Sequence, residues 1–104
     1  MLQKWGMIVA EKKHNEQLDT LFDAILGLRD RDCCYRFFED LCTMSELHAM
    51  GQRFQVAKML YQGKVYAEIA ASTGASTATI SRVNRSLLYG AEGYKRVLDE
   101  GGGT

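Results

Sequence analysis

Apolar side chains recur at three- and four-residue intervals along most of the chain. In "EQLDTLFDAILGL", residues 16–28, Leu18, Leu21, Phe22, Ile25 and Leu28 fall on one side of a helix. The charged run "RDRD" at 29–32 interrupts this pattern and offers Asp30 or Asp32 as the cap of a second helix. "CCYRFFEDLC" then sets Cys34, Phe37, Phe38 and Leu41 at helical spacing, unusually aromatic for a short surface helix and better read as dimer core than as a cofactor box. The start signal of the third helix is sharper. "TMSE" at 43–46 fits a capping box, with Thr43 as N-cap and Glu46 reaching back to it. Leu47, Met50, Phe54, Ala57 and Leu60 or Tyr61 mark the apolar face of this helix, which Gly63 should stop. "VYAEIAAS", a turn at Gly74, "STATISRVNRSLL" and a final short helix "EGYKRVLDE" complete the pattern before the glycine tail. No segment alternates as a strand would, so the expected class is all-α.

Two short helices, Tyr66–Ser72 and Ser76–Leu88, flank Gly74 with the spacing of a helix-turn-helix. Ile69, Ala75, Ile80 and Val83 fall where the pair must bury apolar side chains, and Ala70 is small where the helices cross. Gly74 can take the positive φ that a tight turn requires, and Ser76 or the adjacent Thr can cap the second helix. If that helix enters the major groove by its N-terminus, its first turn must be slim and able to hydrogen-bond. Ser76, Thr77, Thr79 and Ser81 supply hydroxyls for base edges or phosphates, while Ala78 and the threonine methyls suit thymine methyl groups. Arg82 and Arg85 lie farther along, within reach of a phosphate or a guanine. The plainer reading is a surface helix whose hydroxyls only cap and solvate. The agreement of burial pattern, glycine and polar face favours DNA.

Composition changes this picture in two respects. Proline is absent from all 104 residues, which removes the strongest helix breaker, and a 46% apolar content supports a packed core. An all-helical chain this small often completes its core by dimerising. Lys plus Arg balances Asp plus Glu at 13 each, but the distribution is uneven. From Thr43 to Gly90 five basic residues (Arg53, Lys58, Lys64, Arg82, Arg85) face two acids (Glu46, Glu68), whereas acids dominate from Asn15 to Cys42. One part of the chain alone is suited to a polyanion.

Other chemistry is thin. Cys33, Cys34 and Cys42 are odd in number and lack CxxC spacing, so they read as reduced core or interface thiols of a cytoplasmic protein, with no metal site. The apolar run in "MLQKWGMIVAEKKHNEQ" is too short for a signal peptide, and no stretch reaches transmembrane length. His14 and His48 are isolated. No Ser-His-Asp arrangement, phosphate loop or carboxylate pair supports catalysis, so neither an enzyme nor a cofactor is expected.

The blocks "LCTMSELHAMGQRFQVAKMLYQGK" and "TGASTATISRVNRSL" resemble the Trp repressor superfamily. With "LDTLFDAILGL" and "YRFFEDLCT" upstream, the chain looks most like the Trp-repressor-like YerC/YecD family of Gram-positive bacteria. The resemblance implies an intertwined homodimer: an arm over 1–14, dimerisation helices in 15–62 and 90–100, a helix-turn-helix over 64–88 and a flexible tail at 101–104. It also implies two reading heads on a palindromic operator, about 34 Å apart. Arg53 and Arg82 match the arginines that bracket tryptophan in the repressor, and Thr43, Thr79 and Ser86 match positions near that ligand. Val83 stands where the repressor has glycine beside the ligand, and Asp40 and Cys42 replace pocket leucines. The segment between Gly63 and Gly74 is one residue shorter. Any effector at this site is therefore expected to be a small molecule other than tryptophan. Ala67 and Ala70 replace basic residues of the first helix, so few phosphate contacts are expected. A module that binds protein and does not read DNA is the alternative.

Overall fold

The computed structural model describes residues 14–102, so Trp5 and the expected N-terminal arm, apart from His14, lie outside the described residues, as do 103–104. Among the described residues the chain is helical with no strand: α1 Glu16–Leu26, α2 Arg31–Leu41, α3 Met44–Tyr61, α4 Tyr66–Thr73, α5 Thr77–Tyr89, α6 Gly93–Val97 and a wider π-type turn Leu98–Gly102. The helices fall into two compact units, one ending at Leu41 and one beginning at Cys42.

The first unit holds α1 and α2. Asn15 caps α1, its Oδ1 accepting the Leu18 N–H at 2.8 Å. Asp30, rather than Asp32, caps α2 by accepting the Cys33 N–H at 2.8 Å, and that bond lowers the Asp30 pKa. Asp32 instead pairs with Arg36 one turn later at 2.8 Å, an exposed bridge of little energetic weight. A hydrogen bond to Asp30 also pushes the Cys33 thiol up, away from the thiolate that redox chemistry needs. Phe37 and Phe38 meet edge to face with centroids 5.4 Å apart. Neither helix fully buries a side chain. Leu18 and Phe22 are 40% and 52% exposed, although Leu21, Ile25 and Leu28 on the same face are half-buried.

The second unit starts at the capping box, where the Glu46 N–H donates to Thr43 Oγ1 at 3.0 Å and the Thr43 N–H donates to Glu46 Oε1 at 2.8 Å. Thr43→Ala should cost about 1 kcal/mol and lower the thermal midpoint by about 4–8 °C, checked by thermal unfolding followed by circular dichroism. At the other end α3 stops at Gln62 and Gly63, the latter at φ 84°, with the Lys64 N–H returning to the Met59 carbonyl at 3.0 Å.

The core of this unit is Val56, Ala57, Met59, Ile69, Ala75, Ile80, Val83 and Leu98. The buried face of α3 differs in part from the expected one. Met50, Phe54 and Tyr61 are exposed, while Val56 and Met59 are buried. The helix carries two apolar stripes: Leu47–Met50–Phe54–Tyr61 on one side, and Val56, Met59 and Leu60 on the other, with Ala57 between them. Helices α4 and α5 cover the second stripe.

The first stripe meets the C-terminal segment only in part. Phe54 lies 6.3 Å from the Tyr94 ring, and the Tyr61 hydroxyl donates to Asp99 Oδ1, which raises the tyrosine pKa. The expected final helix is also shorter than its sequence suggested. Regular α-helix holds only over Gly93–Val97. The wider turn after it contains Gly101 at φ 126° and buries Leu98 against the core.

Candidate nucleic-acid interface

Helices α4 and α5 meet through a turn held by several hydrogen bonds. Gly74 takes φ 76°, the left-handed conformation expected of it, and its N–H returns to the Ala70 carbonyl at 2.9 Å. Just before it, Thr73 donates its hydroxyl to the Ile69 carbonyl at 2.8 Å and accepts the Ala75 N–H at 3.1 Å. Gln52, on the stripe of α3 that faces this pair, donates Nε2 to the Thr73 carbonyl at 3.2 Å. Beneath these bonds Ile69, Ala75, Ile80 and Val83 are buried as their spacing predicted, with Ala70 packed against them.

Ser76 is the N-cap of α5. Its Oγ accepts the Thr79 N–H at 3.1 Å while its hydroxyl donates to Thr79 Oγ1, also at 3.1 Å. The two hydroxyls therefore hold each other, and Thr79 is half-buried.

The rest of α5 sorts by angle. At about 100° per residue, Thr77, Ser81, Arg85 and Ala78 fall within an arc of about 100°, and all four are exposed. Ile80, Val83 and Leu87 occupy the opposite side, turned into the core. Arg82 lies at one edge of the exposed arc, and Thr79 and Ser86 continue that flank toward Val83. Asn84 lies on the other flank.

This arrangement gives a slim polar ridge with two guanidinium groups beside it. Arg82 and Arg85 are exposed, and among the described residues neither forms an ion pair. Helix α4 adds no cation. Its exposed residues include Ala67, Ala71 and Glu68, the last 3.8 Å from Lys64. A polyanion meeting this surface would find its charge partners on α5.

The residues matched to an effector site are spread more widely. Thr79, Arg82 and Ser86 share one flank of α5, whereas Thr43 and Arg53 lie at the start and middle of α3. Both arginines and Ser86 are exposed, and the Thr43 hydroxyl is committed to its helix cap. Four residues that shape the site escape a reading of the sequence. Thr73 stood beside a glycine, a position where a hydroxyl often closes a turn. Gln52, Tyr66 and Asn84 act through contacts across 21 and 18 residues, for which spacing offers no signal.

Comparison with known proteins identifies the family of the fold. The family Trp repressor protein matches residues 16–101. The protein YerC of Bacillus subtilis (strain 168), itself uncharacterised, is 52% identical over 89 residues, covering 86% of each chain. A crystal structure of a candidate Trp repressor from Staphylococcus aureus is 56% identical, with a TM-score of 0.82 over 86% of this chain and 90% of that one. A TrpR-like protein from Eubacterium eligens ATCC 27750 is 54% identical, with a TM-score of 0.83 over 86% and 93%. The chain belongs to the Trp repressor family, a family of regulatory DNA-binding proteins with this all-helical fold.

Proposed function

We propose that the protein is a sequence-specific DNA-binding transcriptional regulator that works in the cytoplasm as a homodimer and represses by occluding a palindromic operator. One observation carries this reading: Thr77, Ala78, Ser81 and Arg85 share an exposed arc of α5 directly opposite the side chains that bury it. Such a helix can enter a major groove without uncovering its own core. Ser81 and Thr77 offer hydroxyls to base edges, Ala78 suits a thymine methyl group, and Arg82 and Arg85 reach phosphate or guanine. Ser76 and Thr79 complete the contact surface, holding the first turn of α5 in shape while presenting it.

The dimer is supported by the apolar surface left exposed on a single chain, notably Leu18, Phe22, Met50 and Phe54. A second copy would bring a second reading head, which a palindrome requires. Among the described residues no helix is long and apolar enough to cross a membrane. A small effector other than tryptophan, held by Arg53 and Arg82 with Thr43, Thr79 and Ser86 nearby, is the regulatory part of the proposal. Its support is that both guanidiniums are exposed and, among the described residues, form no ion pair. The family's fold is regulatory rather than enzymatic, and we assign the chain no catalytic role.

Selection of duplexes from a fragmented genome at near-physiological salt tests the reading. Enrichment of a palindrome is the expected result, with affinity falling steeply as salt rises. Absence of any preference over scrambled duplex would leave a protein-interaction module instead. Repeating the selection with a pool of amino acids and nucleotides tests the effector.

A further inference from the structure

Helix α5 is fixed to α4 at the turn by Gly74 and Thr73 and along its length by apolar contact. At the far end of the pair, away from the turn, one polar bond joins them among the described residues. Asn84 Nδ2 donates to the hydroxyl oxygen of Tyr66 at 3.2 Å. Tyr66 is the first residue of α4 and Asn84 lies beyond the middle of α5, so the bond spans the open end of the pair. Asn84 is half-buried and sits on the flank of α5 away from Arg82.

Apolar packing alone leaves a helix some freedom to roll about its axis, because the hydrophobic effect has no direction. A roll of a few tens of degrees would carry Ser81 and Arg85 out of register with a row of base edges. A hydrogen bond does have direction. We propose that Tyr66 and Asn84 are positioning residues that fix the roll of α5, and so set DNA affinity without touching DNA. Gln52, holding the Thr73 carbonyl from α3, anchors the opposite end of the pair. With both ends tied, the reading face keeps its orientation in the protein alone. The inference rests on the DNA-binding reading above.

The surroundings support a positional role over a merely stabilising one. The bond lies at the surface and Tyr66 is 37% exposed, so the Asn84 amide freed by removing the tyrosine hydroxyl can turn to water. Its N-terminal neighbour Val65 caps α4 without a side-chain hydrogen bond, so the open end of the helix pair lacks any local polar anchor of that kind.

The test is a double-mutant cycle of Tyr66→Phe and Asn84→Ala on the full chain, with affinity measured for the duplex that wild type selects. Circular dichroism melting and amide hydrogen exchange along α5 are followed in parallel. Each single variant should bind about three- to tenfold more weakly, the loss expected of one modest hydrogen bond. The double variant should bind no more weakly than either single one. Melting should barely change, while amides of α5 from Ser81 onward exchange faster. Additive losses would mean that each side chain meets DNA on its own account and would overturn the proposal. So would an unaltered affinity in Tyr66→Phe. A wild-type protein that selects no duplex defeats the DNA reading itself. Exchange in α5 separates that case, because it reports the tie whether or not DNA binds.

Discussion

Arg82→Ala should weaken operator binding by at least about tenfold while leaving the dimer intact. Loss of a charge-assisted hydrogen bond costs about 1.5–3 kcal/mol, and a dimer on a palindrome loses it in both heads. Because Arg82 is exposed and unpaired among the described residues, its removal strands no internal partner. Fold and association should therefore survive, as sedimentation would show. Salt identifies the group it meets. If the guanidinium sits on phosphate, the log–log slope of affinity against salt should flatten by about 2, one contact per head. Arg82→Lys then restores most of the affinity, since a point charge suffices for phosphate. If it reads guanine with both nitrogens, lysine restores less and specificity at that base relaxes. Unaltered affinity in Arg82→Ala would remove this residue from the interface.

The second large effect concerns neighbours with opposite roles. Ile80 is wholly buried and Ser81, next to it, is exposed. Ile80→Ala removes methyl groups from the centre of an eight-residue core, and should cost about 2–5 kcal/mol through lost burial and the cavity left behind. For a small domain that is a large share of a total stability of about 5–15 kcal/mol. Denaturant unfolding should show a much lower midpoint, and DNA binding should fall with the folded population. Ser81→Ala should change stability by no more than about 0.5 kcal/mol. Its effect belongs to sequence preference, read by repeating the duplex selection. Equal stability loss in the two variants would show that α5 does not present the faces described.

The helix pair was the most legible part of the sequence because three independent signals coincide there. Gly74 needed a positive φ and has it. Ser76 had a cap's chemistry and caps. Ile69, Ala75, Ile80 and Val83 had core spacing and are buried. Helix α3 was harder for a physical reason. Apolar residues on two sides make periodicity ambiguous, and nothing local says which side the chain itself will cover. The stripe through Met50 and Phe54 is as regular as the buried one. Only the placement of α4 and α5 decides between them. The final segment differed in another way: "EGYKRVLDE" has helical composition, yet regular α-helix stops at Val97 and the wider turn after it, which holds the buried Leu98, leaves helical geometry at Gly101. As for the site, residue type and spacing pointed to the exposed arc of α5. They could not show that Ser76 and Thr79 hold each other, because that depends on two rotamers.

Leu98 has a further consequence, for the order in which the core assembles. Seven of the eight buried side chains lie between Val56 and Val83, and the eighth arrives 15 residues later. Contacts between near neighbours in the chain form first, because closing a longer loop costs more entropy. The helix pair can therefore form its local contacts while its core still lacks one wall. Closure of the head waits for Leu98 to dock, so a chain cut before that residue would keep the pair but leave its core open to water.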